Sequence, residues 1–412
     1  MNPREVRLLL GGGPRGHRGG ASGLRGVHSV ADLRRSARRR LPRAIFDYLE
    51  GGAEQERTLR ANLVRYAGCR FQPRVLSGAG VPDLQTTVFG QRLPIPLALA
   101  PTGYTRLIHP DGEAGAARAA GRLGVPYTAA TMATTSLEEV AAATPGPLWF
   151  QLYVSKEWRV TEALVARAQR AGCRALLVSV DTQVAGQRLR DQRNGLTIPP
   201  APSPASLLGI ALHPRYWRGL VTGPELTFAN FEGASGPAAG GIAEITRSFE
   251  PGLSWEHLRR LRQTWTGPLL VKGPLRPSDV ARAVAEGCDG VYLSNHGGRQ
   301  LDRSPHPLDL LVAARQQVGG NVPLLVDSGI RTGADAVVAL ALGADVCLVG
   351  RPYLYGLAAG GEEGVALLIR MLRDEMERTM QLLGVSGTAD LRARGAELVV
   401  LEGGAGSAMA GC

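Results

Sequence analysis

From about residue 94 onwards, short apolar runs alternate with stretches of helical spacing. The runs are IPLALAP (95–101), VPYTAAT (125–131), PLWFQLY (147–153), RALLVSVD (174–181), PLLVKG (268–273), GVYLSNH (290–296), PLLVDSG (323–329) and VCLVGR (346–351). Each is nearly continuous in apolar residues, as expected of parallel strands buried on both faces. Between them, 112–123, 157–171, 278–286 and 333–342 read as helices, and SLEEV (136–140) carries a capping box, Glu139 following Ser136 by three. Eight strand–helix units predict an α/β fold, a single (β/α)8 TIM barrel. A doubly wound open sheet is the competing architecture, but no GxGxxG follows the first strand.

The flanks read differently. Residues 1–40 form a basic arm, largely disordered, with order beginning near Ser29-Val-Ala-Asp-Leu; 41–390 form the barrel; 391–412 form a carboxyl-terminal tail. LPRAIFDYLEGGAE (41–54) predicts a short helix stopped by Gly51-Gly52. The fourth unit carries a long insertion, about 190–250, with Pro dense at 199–204 and SLLGIALHPRYWRGLV (206–221) mixing apolar residues with Arg and Trp. Such a segment suits a surface insertion, a lid or a membrane-surface patch.

Composition sharpens this. At 44% hydrophobic and 20% charged, the 412 residues are ordinary for a globular chain, and no run of 18 apolar residues predicts a membrane span. The net charge of +11 is uneven: residues 1–43 hold eleven Arg against Glu5 and Asp32, or +9, leaving +2 for the rest. A basic arm on a nearly neutral body does not suggest a nucleic-acid-binding fold. The five scattered cysteines contain no CxxC pair, so neither a metal site nor a disulfide framework is expected. Of 47 basic residues only Lys156 and Lys272 are lysines. A chain that uses Arg as its generic cation draws notice to a lysine closing an apolar strand.

In such a barrel, chemistry gathers at the carboxyl ends of the strands. There the sequence places Thr102, Gln151, Tyr153, Ser179, Asp181, Lys272, Ser294, Asn295, His296, Asp327, Gly350 and Arg351. DSGIRTG (327–333) and VGR (349–351) resemble a phosphate site, with free N–H groups near Gly329 and charge from Arg331 and Arg351. No GxxxxGK[ST] loop suggests a nucleoside triphosphate. Lys272 can stabilise negative charge on a bound ring, or form a Schiff base, or be salt-bridged at the rim. In SNHGGRQLD (294–302), His296 reads as a base, Arg299 as a carboxylate binder and Asp181 as the group that orients the imidazole. Arg188 is a second anion binder, and Tyr48 and Tyr153 are phenolic donors.

With these residues in place, the chain resembles the FMN-dependent 2-hydroxy-acid oxidases and dehydrogenases, from about Leu41 to residue 388. The likeness rests on LPRAIFDYLEGGAE, APTG (100–103), HPDGE, FQLY (150–153), VSVDT (178–182), LVKG (270–273), SNHGGRQLD, DSGIRTG, LVGR and LLGV (382–385). Within the family it is similar to quinone-linked L-lactate dehydrogenases of actinobacterial type through APTGYTRL, VAGQRLRDQRNG, HPRYW, HGGRQLDRSP and YLYGLAAGGEEGV. The resemblance implies oxidation of an L-2-hydroxy acid, foremost L-lactate to pyruvate, by hydride-equivalent transfer to flavin N5. His296 would be the base and Asp181 its support. Arg299, Arg188 and Tyr48 would hold the carboxylate, and Tyr153 the hydroxyl. Lys272 would face flavin N1 and O2. Pro101, Thr102, Gly103, Gln151, Ser179 and Ser294 would hold the ring, and Asp327, Gly329, Arg331, Gly350 and Arg351 the ribityl phosphate.

Three departures from the family pattern stand out. Ala130 replaces a frequent serine, Ser179 a usual threonine, and Gly103 an alanine common in true oxidases. Glycine there is also seen in dehydrogenases and in lactate monooxygenase, so it puts direct use of oxygen in doubt; the resemblance to quinone-linked dehydrogenases implies quinone as acceptor. An oxidase of mandelate-like or glycolate-like acids is the alternative, with Met132, Tyr104 and the insertion expected around the substrate side chain. A flavin-dependent isomerase or a non-catalytic phosphate-binding barrel would leave His296, Asp181 and Arg299 without a task. The resemblance further implies a homo-oligomer, a tetramer. The arm and 206–221 point to a cytoplasmic protein at the inner face of the cell membrane.

Overall fold

The structure is a computed structural model that describes residues 24–196, 212–231 and 242–401. Eight parallel strands close into a barrel: β1 (Leu97–Leu99), β2 (Tyr127–Ala130), β3 (Leu148–Leu152), β4 (Leu176–Ser179), β5 (Leu269–Gly273), β6 (Gly290–Leu293), β7 (Leu324–Val326) and β8 (Val346–Val349). Each pairs with the next, and β8 returns to β1. All eight fall within the predicted runs. They are buried on both faces because alternate side chains go to two different cores. Ala98, Trp149, Leu177, Leu270, Tyr292, Leu325 and Leu348 fill the barrel, while Leu97, Phe150, Leu176, Leu269, Val291 and Leu324 face the helices.

One end of the barrel is plugged. The hairpin Thr86–Val88/Gln91–Leu93 adds Val88 and Leu93 to the interior, and Gln91 accepts a 3.2 Å bond from the Trp149 indole. The polar strand ends therefore gather at the opposite mouth. The predicted helices appear as Gly112–Arg122, Trp158–Arg170, Pro277–Ala285 and Gly333–Ala341, and the Ser136–Glu139 capping box forms. A 33-residue helix, Arg351–Leu383, was not anticipated; it kinks at Gly360-Gly361, where Gly361 has φ +58°.

The boundaries drawn from sequence need correction at both ends. Val30–Arg40 is a helix, capped by Ser29, that buries Val30, Leu33 and Ala37 and packs on Arg351–Leu383, so 30–40 belong to the body. Arg34 pairs with Glu50 at 2.8 Å. At the other end, residue 390 falls inside the helix Thr388–Leu398, and Val399–Leu401 pairs with Cys69–Phe71. Residues 1–23, the Pro-dense stretch 199–204, the first part of 206–221 and residues 402–412 lie outside the described residues.

The described insertion is tied down at several points. Asn230, almost wholly buried, donates to Ala130 O and accepts from Leu137 N, and Arg167 donates to Asn230 O. Tyr216 donates to Leu107 O at 2.8 Å, and Tyr104 donates to Leu226 O at 3.2 Å.

His306 is buried. Its Nδ1 caps the helix Pro307–Val318 by accepting from Leu308 N, and burial lowers its pKa to about 4. Below pH 6.5 the unfolded chain takes up a proton that the folded chain refuses, so stability falls from pH 6.5 towards 4 and then levels off. The loss is about 3 kcal/mol. His306→Asn keeps a capping acceptor, and the Tm of that variant should depend less on pH over this window. An unchanged pH slope would contradict the assignment.

Candidate active site

His296 follows β6 in a turn of unusual backbone. It has φ +57°, followed by Gly297 at +63° and Gly298 at +74°. A side-chain residue held there costs about 1–3 kcal/mol, and such strain gathers at functional sites. A Cβ on Gly298 would lie 2.7 Å from Leu59 N, so only glycine lets this turn pack on the helix Arg57–Ala67. Asn295 fixes the turn by accepting from Gly298 N and pairing reciprocally with buried Asn62 at 2.7 and 2.9 Å.

The imidazole is thereby aimed between two groups. Nδ1 is 3.2 Å from both oxygens of Asp181, and Nε2 is 3.3 Å from the Tyr153 hydroxyl. A carboxylate can only accept, so the ring hydrogen sits on Nδ1 and Nε2 keeps its lone pair. Lys272 Nζ lies 3.4 Å from Nδ1 and acts there as a nearby charge. Burial, then the Lys272 charge, lowers the His296 pKa below 6.5 against the pull of Asp181. Burial alone would raise the Asp181 pKa, but His296 and Lys272 hold it below the usual range. The pair at neutral pH is thus a neutral imidazole beside an ionised carboxylate, which suits a general base.

Two arginines converge beside it. Arg299 lies 5.0 Å and Arg188 5.8 Å from the centre of the Tyr48 ring. Arg299 donates to Tyr48 O and Gly51 O, the end of the helix Arg43–Glu50. Burial, then the Arg188 charge, pushes its pKa down to about 10. Like charges held together in a poorly solvated place are relieved by a bound anion.

The remaining predicted residues ring the same mouth. One cavity is lined by Tyr48, Pro101, Thr102, Gly103, Gln151, Tyr153, Lys272, His296, Arg299, Asp327, Gly329, Arg331, Gly350 and Arg351. Four others stand behind it. Ser179 accepts from Gln151 Nε2, Ser294 accepts from His296 N, Asp181 backs His296, and Arg188 contacts Asp191 at the edge. One expectation changes. Tyr104 does not line the cavity: its ring is buried 4.9 Å from Phe228, where it anchors the insertion. Gly329, at φ +106°, lines the cavity and also packs tightly on the protein behind it, since a Cβ there would lie 2.1 Å from Asn62 O.

Several contributors were missed. Ser328, with φ +71°, accepts from Asn295 N and Gly297 N and donates to Asp327, linking the β6 and β7 loops. Thr131 donates to Gln151 O and accepts from Tyr153 N, so the β2 end positions β3. Glu113, fully buried, accepts from Thr105 N, Thr134 N, Thr134 Oγ1 and Thr135 Oγ1 and ties the β1 and β2 loops together. The HPDGE run was the only trace of it in the sequence. Glu113→Ala leaves these donors unpaired, and a loss of about 3 kcal/mol is expected in denaturant unfolding. A change under about 1 kcal/mol would show the clamp to be dispensable.

The residues suit FMN on their own chemistry. Lys272, 2% exposed, makes no ion pair with a carboxylate among the described residues, so the salt-bridged alternative fails and a buried cation faces the cavity. Arg331 and Arg351 bring positive charge to the β7 and β8 loops, where this fold holds phosphate. Arg351 is already engaged, donating to Leu49, Gly51 and Gly297 carbonyls at 2.8–3.1 Å, and it joins the mouth to the amino-terminal helices.

The open mouth thus has the makings of a flavoprotein oxidoreductase of the barrel class. Residues 37–397 match the FMN-dependent dehydrogenase family, and the chain belongs to it. It is an FMN-dependent 2-hydroxy-acid dehydrogenase with L-lactate dehydrogenase relatives. It is 42% identical over 89% of its length, and 96% of the relative's, to the L-lactate dehydrogenase of Caulobacter vibrioides. A Mycobacterium tuberculosis homologue, whose L-lactate dehydrogenase name is provisional, is 44% identical over 89% of this chain and 88% of its own. Among solved structures, the monotopic membrane protein (S)-mandelate dehydrogenase superposes with a TM-score of 0.86 at 37% identity, over 92% of this chain and all of that one.

Proposed function

We propose that the chain oxidises an L-2-hydroxy acid, L-lactate foremost, to the 2-oxo acid, and that its electrons pass to a quinone at a membrane surface. The observation that carries this is the His296 Nε2 lone pair, fixed by Asp181 beside the Arg188–Arg299 anion site. Arg299 and Arg188 bind the substrate carboxylate. Tyr153 donates to the substrate hydroxyl region, and His296 Nε2 takes the hydroxyl proton as the C–H bond breaks. Asp181 stabilises the imidazolium so formed. FMN, when bound, supplies the acceptor for the hydride equivalent. Lys272 would meet negative charge on the reduced ring, and Gln151, Thr102 and Gly103 would line its place. Asp327, Arg331 and the β7 and β8 loops would hold the ribityl phosphate end.

A Cβ at Gly103 would lie 2.8 Å from Met132 O, so the chain at this point is built around glycine, the residue that the resemblance associates with dehydrogenases. The likeness to mandelate dehydrogenase supports a second reading, in which Met132 and Ile108 accept an aryl side chain. The basic residues of the amino-terminal region support a seat at the inner face of the cell membrane; no described helix is long and apolar enough to cross it. The acceptor is tested by reducing the protein anaerobically, then adding either oxygen or a soluble quinone. Fast recovery of the oxidised spectrum with quinone and slow recovery with oxygen is expected. The reverse would make the protein an oxidase.

A further inference from the structure

A second cavity, about 570 Å³ in volume, adjoins the barrel mouth. It lies between the end of the helix Val30–Arg40, the loop after β1 and the insertion helix Pro214–Thr222. Ile108, 3% exposed, is the one described residue that lines both this cavity and the one holding His296. Ile108 thus borders both cavities.

The lining has a consistent chemistry. Leu41, Tyr216 and Leu220 supply an apolar wall, while Arg39, Arg106 and His213 supply hydrogen-bond donors, and no described lining residue is a carboxylate. Arg106 spends Nη1 on Thr134 O at 2.7 Å, but its Nε is buried and finds no partner. His109 also lines the cavity, and its Nδ1 accepts from Asp111 N, which leaves the ring hydrogen on Nε2. A ligand matched to these walls has an apolar body and only acceptors at its polar end.

We infer that this cavity is the electron-acceptor site and that it takes a quinone ring, carbonyls towards Arg106 and His109. The inference rests on the proposed quinone-linked reaction and gives its second half a place. The balance closes without another oxidant. The 2-hydroxy acid loses two electrons and two protons as its C–H and O–H bonds give way to C=O. The quinone gains two electrons and two protons as both carbonyl oxygens become hydroxyls. An amphiphile of this kind would reach the site along the insertion helix, where Tyr216 holds the helix to Leu107 O, next to Ile108.

Leu220→Trp fills the cavity from the far wall, and Arg39→Ala removes an exposed donor at its edge. Neither residue lines the His296 cavity. Calorimetric titration of the flavin-loaded protein with a short-chain quinone, without hydroxy acid, reads binding directly. Leu220→Trp should weaken binding about tenfold or more and Arg39→Ala about threefold, with the same rise in the quinone concentration that half-saturates reoxidation. The anaerobic bleaching rate with L-lactate should stay at the wild-type value. Wild-type quinone binding and reoxidation in both variants would overturn the cavity assignment alone. Loss of binding to anionic vesicles with quinone kinetics untouched would overturn it in favour of a lipid-phosphate site. A wild-type protein that no quinone reoxidises would overturn the acceptor reading itself.

Discussion

Replacing His296 by Gln should slow anaerobic flavin reduction by L-lactate about 10³- to 10⁴-fold while leaving the bound flavin spectrum intact. Gln keeps a side chain of similar reach but has no basic lone pair, so the loss belongs to proton removal. The pH profile adds a sharper check. His296 is held below 6.5, so the wild-type rate should already be level by neutral pH and fall only in acid. Lys272 lowers the His296 pKa and Asp181 raises it. Lys272→Met should therefore move the acid limb to higher pH, and Asp181→Asn should move it lower as well as reduce the plateau. Rates measured by stopped flow across pH 5 to 8 would read both displacements. Movement in the opposite directions would contradict the charge arrangement.

Lys272→Met should also cost the largest share of charge stabilisation. The ammonium is nearly excluded from water, 5.5 Å from the Tyr292 ring centre, and makes no described ion pair with a carboxylate. Removing a donor aimed at developing charge in such a place typically lowers the rate about 10²- to 10³-fold. Met matches the stem but carries no charge, so the fold should stand while flavin affinity drops and the potential of the bound flavin falls. A variant that binds flavin and reduces it as fast as wild type would show that Lys272 serves packing.

The parallel strands were readable because burial on both faces leaves a continuous apolar run, and the residue that ends such a run falls at the mouth. That is why Lys272, His296, Asp181 and Asp327 stood out. The arrangement of donors between loops was not readable. Glu113 sits in a helix and Thr131 in a loop, and nothing in their spacing reveals that the first binds four donors and the second bridges Gln151 and Tyr153. Tyr104 misled for the same reason: its place near Gly103 suggested the cavity, but a positive φ of +61° turns its ring to the insertion. Order was expected from Ser29, where the helix does begin, but the arm was still bounded at residue 40 because its arginines masked the docking of Val30, Leu33 and Ala37.

The most direct measurement is anaerobic mixing of the flavin-loaded protein with L-lactate, and separately with D-lactate, while following the absorbance of the oxidised flavin. Rapid, complete bleaching by the L form and none by the D form is the expected result. A flavin-loaded protein left oxidised by L-lactate and by (S)-mandelate alike would contradict the proposed reaction.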